Sequence, residues 1–173
     1  MLKIGYIDDL KGLPSLKNTD SGIIETPIGA IELIANSDAL IAINLNVARV
    51  TDPRANFNGN KILLQAEDEL EKYFMGELTL FKVPINIKGT NFQMAVWKEI
   101  LNIPYGSRSS YSEVAKSIGC FNSARAIGQA NSKNFLPIII PCHRVTLSNG
   151  KIGGYSAGVK NKKWLLELED SIR

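Results

Sequence analysis

The run Ile138-Ile139-Ile140-Pro141-Cys142-His143-Arg144-Val145 sets one of the chain's two cysteines beside its only histidine. A cysteine behind three isoleucines is ordinarily a small buried hydrophobe. The adjacent imidazole argues otherwise, because a thiol of pKa near ~8.5 becomes a useful nucleophile when a base takes its proton. Neighbours in an extended chain point to opposite sides, so proton transfer from Cys142 to His143 requires a bridging water or a turn. The pair signals a reactive cysteine without naming a reaction. Cys120, which follows the helix-closing Gly119, reads as a packing residue. One histidine and two cysteines are a poor metal set, so no zinc site is expected.

The elements around this motif are short and carry explicit boundaries. Thr90-Asn91-Phe92-Gln93 and Ser110-Tyr111-Ser112-Glu113 are capping boxes that open two helices, the first ending before Pro104 and the second at Gly119. Asn122 is expected to cap a third helix over 123–132, making a helix-turn-helix candidate with the second. Residues 136–145 read as a buried strand or extended run, 148–150 as a turn, and 160–169 as a last helix carrying Trp164, Leu165 and Leu168. Upstream, 22–26, 30–36 and 39–46 are apolar and β-branched, with turns between them. Residues 56–60 are a polar loop around Asn58-Gly59. A helix over 61–75 follows, with Leu63, Ala66, Leu70 and Phe74 on one face and Gly76 as its stop. Residues 78–87 look extended, with Pro84 favouring an edge or a linker.

A chain of 173 residues that is 45% hydrophobic can bury one good core or two small ones. The change from strands to capped helices puts a boundary at 86/87, giving domains 1–86 and 87–173. Net charge supports the division: 1–86 carries −4 and 87–173 carries +7. A basic C-terminal half suits a polyanionic partner, although charge alone permits nucleic acid without demanding it. No apolar run is long enough to span a bilayer. Few cysteines and the lack of a signal-peptide pattern suggest an intracellular protein, cytoplasmic, or nuclear if eukaryotic.

Pro141-Cys142-His143-Arg144-Val145 resembles the active-site signature of the O6-alkylguanine-DNA alkyltransferases, also called methylated-DNA-protein-cysteine methyltransferases. Further motifs agree in order and spacing: residues 89–93 with Val96-Trp97, 103–106, Tyr111, 125–128, Asn134, 153–155, and Leu165-Leu166 with Glu169. The resemblance is close over 89–169 and general before it. It implies an α+β chain with an N-terminal ribonuclease H-like sheet-and-helix domain and a C-terminal helical, winged-helix-like domain containing the helix-turn-helix. The implied activity is repair of double-stranded DNA, in which an alkyl group of O6-alkylguanine, and of O4-alkylthymine as a further substrate, passes irreversibly to Cys142. Each molecule would act once, as a monomer, without a cofactor or a membrane.

The resemblance also assigns roles. Cys142 is the nucleophile, His143 a base acting through water, and Glu169 the residue that orients the imidazole. Tyr111 protonates or hydrogen-bonds the base, while Asn134 and Tyr155 order the pocket. The Ser156 N–H reaches the departing oxygen, and the Val145 carbonyl reads the guanine amino group. Arg125 fills the gap left by the flipped nucleotide. Ala126, Gly128 and Ala130 let the helix backbone approach the groove, and Asn131 joins the substrate-binding set. Phe135 stands where the family commonly has proline, and no cysteine or histidine precedes Cys120, so a zinc site of the kind some relatives carry has no ligands.

Three other readings stand beside this one. A non-catalytic binder of alkylated DNA would lack the acceptor, which the presence of Cys142 opposes. A helix-turn-helix regulator would leave Cys142, His143 and Glu169 unexplained. A Cys-His hydrolase would need its pair at separated positions and an evident oxyanion site.

Overall fold

The computed structural model describes residues 18–48 and 57–171; Asn56 of the expected polar loop lies outside them. The chain divides into two compact units, Met1–Lys88 and Gly89–Arg173.

In the first unit, β1 (Asp20–Ile24), β2 (Ile31–Ala35) and β3 (Leu40–Leu45) form an antiparallel meander in the order β1-β2-β3. Strand alternation is clean in β2, where Ile31, Leu33 and Ala35 are fully buried and Glu32 and Ile34 face the other way. The β2–β3 turn is an Asx turn, with Asn36 Oδ1 accepting from the N–H groups of Asp38 (2.9 Å) and Ala39 (2.8 Å). Helix α1 (Lys61–Phe74) covers the sheet. Asn60 caps it, its Oδ1 accepting from Ile62 N at 2.9 Å and Leu63 N at 3.3 Å.

Gly76, at φ 79°, ends α1 in a Schellman motif, with Glu77 N donating to Lys72 O (2.8 Å) and Gly76 N to Tyr73 O (3.0 Å). The aromatic on the inner face is Tyr73, which is fully buried, whereas Phe74 is half-buried. The expected face is thereby corrected by one position, because Tyr73 continues the i, i+3 step from Leu70. Gly22 is required by packing, since a Cβ there would lie 1.8 Å from the Phe57 ring. After α1 the chain returns alongside β3 in a single parallel bridge, Leu40 N donating to Pro84 O (2.8 Å) and Asn86 N to Leu40 O (2.9 Å). Proline suits that place because only its carbonyl is used.

The second unit contains α2 (Asn91–Leu101), β4 (Ser109–Ser110), α3 (Tyr111–Ser117), α4 (Ala124–Ser132), β5 (Val145–Thr146) and α5 (Val159–Asp170). Both capping boxes form as their residues dictate. A second Schellman motif closes α3, with Gly119 at φ 73°, Cys120 N on Ala115 O (2.8 Å) and Gly119 N on Lys116 O (3.0 Å). Asn122 does not cap α4. It adopts the left-handed conformation, φ 63°, and Ser123 is the N-cap residue without a side-chain cap bond. Asparagine tolerates that backbone better than most residues, so the turn uses its conformation and not its amide.

The expected strand over 136–145 is also corrected. Pro137 and Pro141 remove two ladder donors, and Ile138 sits at φ 77°. Ile140 N turns back to Leu136 O (2.8 Å), and Cys142 N reaches Ile140 O (2.7 Å) across Pro141 at φ −79°, ψ 62°. That geometry is an inverse γ-turn. A 3-10 turn over Cys142–Arg144 follows, and only Val145–Thr146 become strand, pairing in parallel with Ser109–Ser110. Every residue from 136 to 146 is buried. A left-handed, β-branched residue is costly and survives only where its surroundings over-determine it, as such packing does here.

Candidate active site

Helix side chains hold the curled segment in place. At the end of α4, Asn131 Nδ2 donates to Cys142 O at 3.1 Å. Just past it, Asn134 Nδ2 donates to Ile140 O (2.9 Å), and Asn134 Oδ1 accepts from Leu136 N (2.9 Å). Two amides thus fix the carbonyls on either side of Pro141, and with them the direction of the Cys142 side chain. Phe135 packs edge-on against buried Trp97, with ring centroids 6.2 Å apart, so this aromatic fills apolar space next to α2.

The 3-10 turn separates the side chains of Cys142, His143 and Arg144 by about a third of a revolution each. His143 and Arg144 converge on one carboxylate of α5. His143 Nε2 lies 2.8 Å from Glu169 Oε1, while Arg144 donates from Nε to Oε2 (2.9 Å) and from Nη2 to Oε1 (3.0 Å). Gly106 N adds a bond to Oε2 at 3.1 Å, and Arg144 Nη1 donates to Ile103 O at 2.7 Å. A carboxylate only accepts, so the proton of a neutral imidazole sits on Nε2 and the lone pair on Nδ1. Burial opposes the Glu169 charge, but hydrogen bonds from His143 and Arg144 hold its pKa down to about 2. Burial also lowers the His143 pKa, against the pull of Glu169, so the imidazole is neutral near pH 7.

Cys142 is 2% exposed. Burial raises its pKa, while hydrogen bonding from Asn134, the Lys162 charge and the Tyr155 hydroxyl act in the opposite sense. The resting group is therefore a thiol that needs a base. Burial likewise raises the Tyr111 and Tyr155 phenols, so both keep their protons and can donate.

The thiol opens into a cavity of about 600 Å³ lined by Tyr111, Arg125, Gly128, Asn131, Tyr155 and Ser156, together with parts of α3, α4 and the 147–156 loop. Asn131 Oδ1 and the Tyr155 hydroxyl are buried on this wall without a well-formed hydrogen bond. Not every expected residue faces the cavity. His143 and Glu169 stand behind Cys142, and Asn134 both ties the backbone at Leu136 and Ile140 and bonds the thiol. The Val145 carbonyl accepts from Lys162 Nζ at 2.6 Å. Ala126 and Ala130 border a separate groove with Thr90, Gln93 and Lys133. Ala130 is 3% exposed, and its carbonyl accepts from Trp97 Nε1 at 3.0 Å. Its small size lets α4 pack closely on α2 at this point.

Lys162 was missed from the sequence. It is fully buried, also donates to Gly154 O at 3.3 Å, and stands 5.8 Å from the Tyr111 ring centroid. Burial lowers its pKa to about 8, with the Cys142 charge acting to raise it. The signal was present: Lys162, Leu165, Leu166 and Glu169 follow the i, i+3, i+4, i+7 spacing of one buried face. Among the described residues, no group of three or more His, Cys, Asp or Glu could hold a metal ion, and no helix is long and apolar enough to cross a membrane.

Both halves of the chain match models of one class of DNA-modifying protein. Residues 21–87 fit the ribonuclease-like domain of 6-O-methylguanine DNA methyltransferase, and residues 91–171 fit its DNA binding domain. Methylated-DNA–protein-cysteine methyltransferases of Mycobacterium tuberculosis and Methanosarcina acetivorans are 42% and 40% identical to it. Each alignment covers 86% of this chain, and 90% and 97% of those relatives. The crystal structure of Mycobacterium tuberculosis OGT in complex with DNA superposes with a TM-score of 0.78 at 42% identity, over 88% of this chain and 93% of that one. The chain belongs to the methylated-DNA–protein-cysteine methyltransferase family.

Proposed function

We propose that the chain repairs duplex DNA by flipping an O6-alkylguanine into the 600 Å³ cavity and transferring its alkyl group to Cys142 in a single turnover. The observation that carries this reading is the buried thiol at the base of that cavity, backed by a neutral imidazole that a carboxylate orients.

In this mechanism the Cys142 proton passes through a water to His143 Nδ1, and the growing imidazolium is stabilised by Glu169. The sulfur pair attacks the alkyl carbon in line, the carbon–O6 bond breaks, and its electrons remain on the guanine. The Ser156 N–H and the Tyr111 hydroxyl stabilise or protonate the departing base, which leaves with a net gain of the thiol's proton. The Val145 carbonyl, which accepts from Lys162 Nζ, is assigned to the guanine amino group. Tyr155, Asn131 and Gly128 shape the slot. Arg125 is exposed at its edge, where it can occupy the vacated stack. An O4-alkylthymine is a second substrate of the same chemistry. A thioether has no proton to shuttle and no good leaving group, so nothing in the site regenerates the thiol.

The reading requires stoichiometric kinetics. With excess duplex carrying O6-methylguanine, repaired lesions should plateau at one per protein molecule, at a level independent of time and proportional to protein. Continued turnover beyond that plateau would refute the single-use mechanism.

A further inference from the structure

Phe121 is, with Met75, the most exposed large hydrophobic side chain among the described residues, at 68%. An exposed apolar residue is by itself ordinary. What sets Phe121 apart is how it is held. The α3 Schellman motif fixes the chain on one side, with Gly119 at φ 73°, and Asn122 at φ 63° turns it on the other. Ser123 N closes this turn on Cys120 O at 3.3 Å, and Ser123 Oγ donates to Phe121 O at 3.4 Å. The backbone under the ring is thus bonded on both sides, and the ring is presented outward at the start of α4. It lies three residues before the first residue of α4 and four before Arg125. Arg125 is exposed and lines the mouth of the cavity, and Gln129, a further four residues on, is also exposed.

We propose that Phe121 is a DNA-contacting residue, its ring packing on the deoxyribose and base edges beside the flipped nucleotide. This inference rests on the reading that α4 docks on duplex DNA, and it adds an apolar contact to a surface otherwise argued from charge. An aromatic face offers sequence-tolerant stacking, and apolar rings are known to wedge against base steps where a duplex is opened. Such a contact releases no counterions. Its contribution to affinity is therefore independent of salt, unlike that of lysine or arginine.

The test uses the full chain carrying Cys142→Ser, so that binding is measured without transfer, and follows fluorescence anisotropy with an O6-methylguanine duplex across a salt series. Adding Phe121→Ala should weaken binding about five- to tenfold at every salt concentration and leave the slope of log K against log salt unchanged. Arg125→Ala in the same background, which removes a positive charge from the bound surface, should lower that slope. Phe121→Trp should retain most of the affinity. The thermal midpoint and the rate of Cys142 alkylation by iodoacetamide, the latter measured with Cys142 intact, should not change in Phe121→Ala. Unaltered affinity in Phe121→Ala, a flattened salt slope, or a lowered thermal midpoint accompanying the loss would overturn the assignment. Failure of the Cys142→Ser parent to bind the duplex would instead remove the DNA-docking reading on which the assignment depends.

Discussion

Glu169→Ala should destabilise the C-terminal unit by about 3–5 kcal/mol, the cost of leaving a buried guanidinium without its counter-charge. One carboxylate bonds His143, the Nε and Nη2 donors of Arg144 and the Gly106 N–H, and it is 1% exposed. Glu169→Gln keeps one acceptor and should fall between the two. Chemical denaturation at neutral pH measures both. The same group fixes the response to acid. Its folded pKa, about 2, lies below the ordinary 4.5, so its contribution is complete above pH 4.5 and disappears as pH falls from there through 2. His143 acts in the same direction. Its folded pKa is depressed from 6.5 by burial, so the unfolded chain binds the proton first as pH drops below that value. Acid should therefore destabilise the protein in two stages, and Glu169→Ala should remove the lower one.

His143→Gln should lower the rate of alkyl transfer by about 10²- to 10⁴-fold, the range expected when a positioned general base is lost. Glutamine can still donate to Glu169 but offers no basic lone pair where Nδ1 now stands, so packing is largely kept while the chemistry is removed. With wild-type protein, the rate should decline as acid protonates His143, at a pH below the ordinary 6.5 because burial disfavours the imidazolium. In His143→Gln that dependence should vanish, and the residual rate should instead climb with pH as the thiol ionises unaided. Single-turnover kinetics against pH distinguish the two regimes. A variant rate within threefold of wild type would show that another group takes the thiol proton.

Local signals in the sequence carry over well where the structure is local. The capping boxes at Thr90 and Ser110 form because each needs only residues three apart. Asn58-Gly59 turns with both residues at positive φ, and the three strands pair in sequence order. Cys142-His143 stood out in the sequence as a candidate reactive pair, and the Glu169 that lies against the imidazole was named through a family resemblance. What the sequence concealed depends on contacts distant in the chain. Three isoleucines read as a strand, yet Pro137 and Pro141 bracket a curled segment pinned by Asn131 and Asn134. Arg144 looked like part of a motif, and its role as the clamp on Glu169 appears only once α5 is folded beside it. Lys162 would ordinarily be assigned to solvent, and its burial depends on the Val145 and Gly154 carbonyls that receive it.

Alkyl transfer to Cys142 is tested most directly by the mass of the protein after incubation with duplex DNA containing O6-methylguanine, beside Cys142→Ala and undamaged duplex as controls. One added methyl group, confined to the peptide that carries Cys142 and absent from both controls, is the predicted result. No added mass, with the damaged duplex still bound more tightly than the undamaged one, would contradict it and leave a lesion-binding protein in place of an alkyl acceptor.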